Sequence, residues 1–283
     1  MDRLLTFVIP LRPPAASRNW ARVLERLHET ARSIEAACAG SDDVRAVVVA
    51  NRDAELGDLP KCFDVLRVDL APPTVSVFKG ETSDDERRQA VWWDKGYKVA
   101  SGMVFAKKLG SRFVMSVDAD DLVASGLGDM ARSDPDSYGW YIDKGWLLPV
   151  GSRWGLVIGD FHNWCGTYAI VRTDLLPLEQ SVDSMDPMVV RRIFGHHRDL
   201  IPEMIEKKTP LKPVEYRAAV YSIGHSEGNF GRAGLMSGML APKNLFTRPR
   251  YFLKYLMKLR FFGPAEQTKF LGKPGLKITG TVG

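Results

Sequence analysis

The chain has 283 residues, with 39 lysines and arginines against 34 aspartates and glutamates, a formal net charge of +5. At 45% hydrophobic and 26% charged residues it has the composition of an ordinary globular protein with enough apolar side chains for one large core, which excludes disordered and fibrous classes. Three cysteines without a CxxC pair exclude a disulfide scaffold and a zinc ribbon, and no run reaches the roughly 20 apolar residues that span a bilayer. The opening Met1-Asp2-Arg3 and the short run Leu4 to Ile9 lack a signal-peptide core, so the expected location is cytoplasmic.

In chain order, Leu4-Leu5-Thr6-Phe7-Val8-Ile9 is a continuous β-rich run stopped by Pro10, the pattern of a strand buried on both faces. Ser17 is placed to cap a helix in which Trp20, Val23, Leu24, Leu27, Ala31, Ile34 and Cys38 recur at three- and four-residue steps, and Gly40 ends it. Val44 to Ala50 reads as a second buried strand ending at Asn51-Arg52, and Phe63 to Leu70 as a third. Pro72-Pro73 opens a loop rich in acids at Asp84-Asp85-Glu86, and a helix is expected from about Gln89 to Leu109. Arg112 to Val117 is a further strand running straight into Asp118-Ala119-Asp120-Asp121, and later strands are expected near Trp140, Leu156 and Tyr168 and at Ala219 to Ile223. Strands alternating with helices predict an α/β fold with a mostly parallel sheet flanked by helices. Ligands of such sheets bind beyond the carboxyl ends of the strands, which singles out Pro10-Leu11-Arg12, Asn51-Arg52 and Asp118 to Asp121.

Three carboxylates within four residues repel one another unless positive charge sits among them, and a divalent cation answers that need. Oxygen donors suit Mg²⁺ or Mn²⁺. The plain alternative is an acidic turn whose Asp121 caps the next helix. A phosphatase of the haloacid-dehalogenase type also carries DxD, but that resemblance calls for Thr or Val two places after the second Asp, where Leu122 stands. It also calls for the motif on the first strand, and here three strands precede it.

A set of segments follows one another in order from Leu4 to about Asn229. They are Thr6 to Pro10 with Arg12, Trp93-Asp94-Lys95-Gly96-Tyr97-Lys98, Phe113 to Asp121, Gly139 to Gly145, Cys165 to Ile170, and Tyr221 to Asn229. On these the chain resembles the GT-A glycosyltransferases, particularly the inverting, family-2-like bacterial group. The resemblance implies a GT-A (Rossmann-like) catalytic domain over 1–240, with a nucleotide-sugar half of about 1–121 and an acceptor half of about 122–240. A basic, helical C-terminal extension, 241–283, would follow. It implies transfer with inversion, dependent on Mn²⁺ or Mg²⁺, from a nucleotide-sugar donor (a UDP-sugar first) to a glycan or lipid-linked acceptor. By the same resemblance Asp118 faces the ribose or the metal, Asp120 ligates the metal directly, Asp121 is either a further ligand or a helix cap, and His225 completes the metal's shell. Pro10, Leu11, Arg12, Asn51 and Arg52 grip the base and ribose, and Ala119 lies within the motif. Lys95 and Lys98, three apart on one helix face, reach the diphosphate. His225 and the two lysines also fit a surface loop and a solvated helix face. Where the commoner family form has a DDGS-like acidic turn after the second strand, this chain has Asn51-Arg52.

An inverting transfer needs a base to take the acceptor's proton. In the stretch where the family carries an acidic pair ahead of an arginine, this chain reads Asp183-Ser184-Met185-Asp186-Pro187 and then Arg191 to Asp199 around His196-His197. The candidates are His197, His196 and Asp186, the alternative for the histidines being a polar helix end. Trp140, Trp146 and Trp164 read either as core or as a platform for an acceptor sugar, with core expected for at least half of them.

The net charge is uneven. From Lys243 to Lys273 eight basic residues stand with Glu266 alone, a local charge of +7, and the remaining 31 bases and 33 acids give −2. Read as one helix, Phe252, Leu256, Leu259 and Phe262 make an apolar stripe flanked by Lys254, Lys258 and Arg260. Such a helix either lies on an anionic membrane, at its inner face, or packs against the domain. Nucleic acid is not expected as a partner, because the rest of the chain is net acidic and carries no reading motif. The rival functions are a metal-dependent phosphohydrolase and a catalytically silent nucleotide-sugar- or glycan-binding module.

Overall fold

The computed structural model describes residues 3–78, 80–224 and 238–274. The first apolar runs form β1 (Leu5–Pro10), β2 (Val44–Asn51) and β3 (Phe63–Val68), with α1 (Trp20–Cys38) between β1 and β2. β1 and most of β2 are buried along their length, as continuous Val, Ile and Leu runs require when both faces are covered. Asn19 caps α1, its side chain accepting from the Arg22 N–H, and Ser17 instead ends a short 3₁₀ turn before it.

The second helix, α2 (Asp84–Lys108), starts five residues earlier than the apolar spacing predicts. Ser83 caps it in a reciprocal arrangement with Glu86, whose N–H donates to Ser83 Oγ at 3.2 Å while that hydroxyl donates to the Glu86 carboxylate at 2.6 Å. Asp84, Asp85 and Glu86 are therefore its first turn, where carboxylates meet the positive end of the helix dipole, and not a loop.

After β4 (Phe113–Ser116) come β5 (Leu122–Val123), α3 (Leu127–Ser133), β6 (Gly139–Tyr141), β7 (Gly145–Pro149), β8 (Trp154–Ile158) and β9 (Ala169–Arg172). Then follow α4 (Pro187–Val189), continued by a π-helical turn over Val190–Gly195, α5 (Leu200–Glu206), β10 (Lys212–Pro213) and β11 (Ala219–Ile223). A seven-stranded sheet runs β10-β6-β9-β4-β1-β2-β3, with β3, β2, β1 and β4 mutually parallel and β9 antiparallel to both its neighbours. The fold is thus α/β with a central, mostly parallel sheet flanked by helices. The chain leaves β1 to one side through α1 and returns to its other side through α2, so the connections diverge between β1 and β4. A crevice opens there at the carboxyl ends.

A second sheet runs β12-β8-β7-β11-β5, where β12 is Leu259–Phe261. β4 belongs to the first sheet and β5 to the second, so Val117 to Asp121 is the strip of chain that crosses from one to the other.

The C-terminal segment differs from the single amphipathic helix expected of Phe252 to Phe262. It forms α6 (Pro242–Thr247), α7 (Pro249–Leu256), β12 and α8 (Pro264–Leu271). α7 ends at Leu256, and the Arg260 guanidinium donates to the carbonyls of Met257 and Leu259, both at 2.8 Å. Leu259 to Phe261 then pair antiparallel with β8, and Phe262 enters the core between Trp146 and Phe270. The described part of the extension is folded onto the domain. Trp140 and Trp146 are core residues.

Candidate active site

A cleft of about 490 Å³ opens at the carboxyl ends of β1 and β4. Its floor is the Pro10-Leu11-Arg12 turn, held in place by Leu11 N–H donating to Val49 O at 2.9 Å. Asp118, Ala119 and Asp120 line it from the turn after β4, and Asp94 and Lys95 from α2. Trp164 to Gly166 and Gly195 to Arg198 form a further wall.

The three carboxylates of the acidic turn have separate situations. Asp121 is fully buried and faces inward. Its Oδ2 accepts from Thr167 Oγ1 at 2.6 Å and Cys165 Sγ at 2.9 Å, and its Oδ1 from the Ser222 N–H at 3.3 Å. It is not a helix cap. Burial pushes its carboxyl well above the usual range, and the neighbouring carboxylates of Asp120 and Asp118 push the same way. Thr167 is the hinge pin of this arrangement, since the hydroxyl that donates to Asp121 also accepts from the Asp118 N–H at 2.8 Å. Asp118 and Asp120 are left facing the cleft.

Lys95 forms an ion pair with Asp118. Burial alone would lower the pKa of its ammonium, but Asp118 more than offsets this and holds it above its ordinary value. Gly166 makes the pairing possible. A Cβ there would stand 2.5 Å from Lys95 Nζ and 2.8 Å from Asp118 Oδ2. Lys98, one turn along, does not reach the cleft. It is fully buried, with Nζ 2.8 Å from Asp94 Oδ1, and burial pulls its pKa down against the pull of Asp94. Asp94 itself lines the cleft, so Lys98 touches the site through that carboxylate.

The histidine pair follows the π-helical turn, whose backbone lies directly on α2. A Cβ on Gly96 would be 2.6 Å from Val190 O, and one on Gly195 would collide with the Trp92 carbonyl. That close approach sets His196 and His197 into the wall beside Lys95. His196 packs on Trp92 with centroids 4.7 Å apart, and its Nδ1 is 3.4 Å from Asp199 Oδ2. His197 is held neutral, its pKa pulled down to about 3 by burial first and by the positive charge of Lys95 second.

Behind this wall lies a smaller cavity of about 40 Å³, lined by Ser116, Tyr168 and His197 among others. Ser116 Oγ, Tyr168 Oη and His197 Nε2 are all buried without a hydrogen-bond partner among the described residues. Room and polarity both suit an ordered water there.

Other sequence candidates lie elsewhere. Asn51 is buried at the end of β2, its amide donating to Leu70 O at 2.6 Å, and Arg52 is exposed and paired with Asp69 at 2.5 Å; neither lines the cleft. Asp186 is exposed and caps α4 by accepting from the Met188 N–H at 2.8 Å, also away from the cleft. His225 falls outside the described residues. Sequence reasoning passed over Asp94, Gly166 and the Cys165–Thr167–Asp121 brace. The i,i+4 spacing of Asp94 and Lys98 was the available signal for the first.

No protein-family model matches the chain, and no curated protein matches it. Among solved structures it is similar to S. aureus TarS 1–349, at 13% identity over 77% of this chain and 60% of that one, with a TM-score of 0.41. The same protein in complex with UDP gives 14% identity, 78% and 61% coverage, and a TM-score of 0.42. HddC from Yersinia pseudotuberculosis gives 8%, 79%, 90% and 0.39. The chain thus spans 60–61% of the length of the TarS structures. Likenesses this distant assign no family, and the functional reading rests on the cleft.

Proposed function

We propose that the protein is a metal-dependent glycosyltransferase that moves a sugar from a nucleoside-diphosphate donor, a UDP-sugar first, to a glycan or lipid-linked acceptor with inversion. The observation that carries this reading is convergence. Asp118 and Asp120, the Lys95 ammonium, the β1 turn and the histidine wall meet in one cleft at the divergence of the parallel strands.

Among the described residues no group of three or more His, Cys, Asp or Glu side chains is arranged to hold a metal ion. An ion of the Mg²⁺ type needs no such group, because one or two carboxylates, completed by substrate phosphate and water, are its ordinary protein site. Asp118 and Asp120 fit that donor set. The ion, when bound, supplies Lewis-acid stabilisation of the charge that grows on the leaving diphosphate.

The chain's own groups do the rest. Lys95 sets a fixed positive charge beside the same phosphates, and the Pro10-Leu11-Arg12 turn closes the floor beneath the nucleoside. His196, oriented by Asp199, takes the proton of the acceptor hydroxyl. His197, kept neutral and weakly basic, is unsuited to that task. Trp164 offers an apolar face to a sugar ring.

The test is thermal shift with a panel of nucleoside diphosphates, with and without Mn²⁺, followed by turnover of the matching sugar donor. Metal-dependent stabilisation by one diphosphate and transfer from its sugar are expected. Stabilisation by none would overturn the reading, and release of inorganic phosphate without transfer would mark a phosphohydrolase.

A further inference from the structure

From Gly238 to Ala265 the chain carries six basic residues, Lys243, Arg248, Arg250, Lys254, Lys258 and Arg260, and no acid. The same stretch leaves large apolar side chains in water. Phe246 is 83% exposed, Met257 66% and Leu253 55%. Trp154 of β8 joins them, 53% exposed, its ring 5.4 Å from that of Phe261 on the edge strand β12. The inner face of α7 is already committed, because Tyr255 is buried and Phe252 packs on the core. Leu253 and Met257 are therefore turned away from the core, with Leu256 at the margin between the two faces. Apolar side chains scattered singly on a surface need no account, but gathered on neighbouring elements and rimmed by one sign of charge they mark an interaction site.

We propose that this face of α6, α7 and β12 seats the protein on an anionic lipid membrane. Phe246, Leu253, Met257 and Trp154 enter the headgroup boundary, and the lysines and arginines meet lipid phosphates. Charge complementarity selects this occupant. A second copy docked through the same face would bring six positive side chains against six, and a nucleic acid would leave the phenylalanine and methionine unpaired with anything apolar. Among the described residues no helix is long and apolar enough to cross a membrane, and the proposed contact is interfacial. This contact does not depend on the chemistry of the cleft.

The test is flotation of the full chain with vesicles of phosphatidylcholine alone and of phosphatidylcholine mixed with phosphatidylglycerol. Capture is expected on the mixed vesicles only, and at least about tenfold weaker at molar salt, where charges are screened within about 3 Å. The double variants Arg250→Glu/Lys254→Glu and Phe246→Ser/Met257→Ser should each bind at least about tenfold less, because one removes the attraction and the other the insertion. Circular dichroism and melting temperatures matching the wild type show that both remain folded. Capture on neither vesicle, equal capture on both, or undiminished capture of the variants overturns the proposal. So does a concentration-dependent dimer that Phe246→Ser dissolves. Vesicle capture does not read the cleft, so a failed nucleotide assay leaves this result standing.

Discussion

Lys95 and Asp118 face each other across the missing side chain of Gly166, an ion pair at the point where the first sheet hands the chain to the second. The pair gives the acidic turn a resident cation and keeps Asp118 aimed into the cleft. Under the transferase reading, Lys95 then stands against the donor's phosphates. Lys95→Met should weaken nucleoside-diphosphate binding about tenfold or more, the worth of one charge-assisted hydrogen bond, as read by calorimetric titration. Gly166→Ala should do nearly as much with little loss of stability, because its methyl displaces the mobile end of a lysine and not backbone. Wild-type affinity in both variants would remove this pair from donor binding.

Asp120→Ala tests the metal. The variant should retain the melting temperature of the wild type and lose the Mn²⁺-dependent part of nucleotide stabilisation, with turnover down by about a hundredfold or more. Calorimetry with Mn²⁺ and a nucleoside diphosphate, compared against chelator, reads the metal's contribution directly. A variant that binds and turns over like the wild type would place the ion elsewhere.

Asp121 should behave in the opposite way. Its carboxylate is the shared acceptor for Thr167, Cys165 and the Ser222 N–H, so Asp121→Ala strands three buried donors. A loss of about 2–3 kcal/mol in urea unfolding is expected, the scale of buried groups left unsatisfied. Activity would fall as a consequence of the lost brace on Asp118, through Thr167. Thr167→Val should reproduce part of both effects.

His197 makes stability depend on pH in a known direction. Its pKa is pulled from 6.5 in an exposed imidazole down to about 3 in the fold. Below the upper value the unfolded chain takes up a proton that the folded chain refuses, so folding weakens as pH falls through that window and is unaffected above it. The contribution between about pH 7 and pH 5 is about 2 kcal/mol. Urea midpoints of the wild type and His197→Gln, measured across that range, should converge as the pH is lowered. Parallel curves would mean that the imidazole is not held neutral.

How far these features could be read beforehand depends on what each residue's burial rests upon. β1 and β2 were legible because β-rich, nearly continuous apolar runs of strand length, closed by Pro10 and by Asn51-Arg52, fit strands covered on both faces. The start of α2 was not, since acids at 84–86 look like a solvated loop until a cap is seen to place them on the helix dipole. Lys95 and Lys98 share a helical face by spacing, yet one opens on the cleft and the other lies beneath it. Spacing orders residues around a helix and is silent on depth. β12 was hidden for a related reason. Leu259 and Phe262 continue a helical period from Phe252, and only the unpaired edge of β8 explains why the chain extends there instead. The histidines could be proposed, but the preference for His196 needed the position of Asp199, fixed by the packing of two glycines on α2 and the π-helical turn.

The strip from Val117 to Asp121 has a mechanical meaning as well as a chemical one. Because the same few peptides end one sheet and begin the other, whatever Asp118 and Asp120 hold is registered against the second sheet to within a single turn of backbone. Under the transferase reading, loops on β7, β8 and β11 could be exchanged for a different acceptor while donor alignment is kept. A strain-sensitive probe on that strip would report the seating of either substrate.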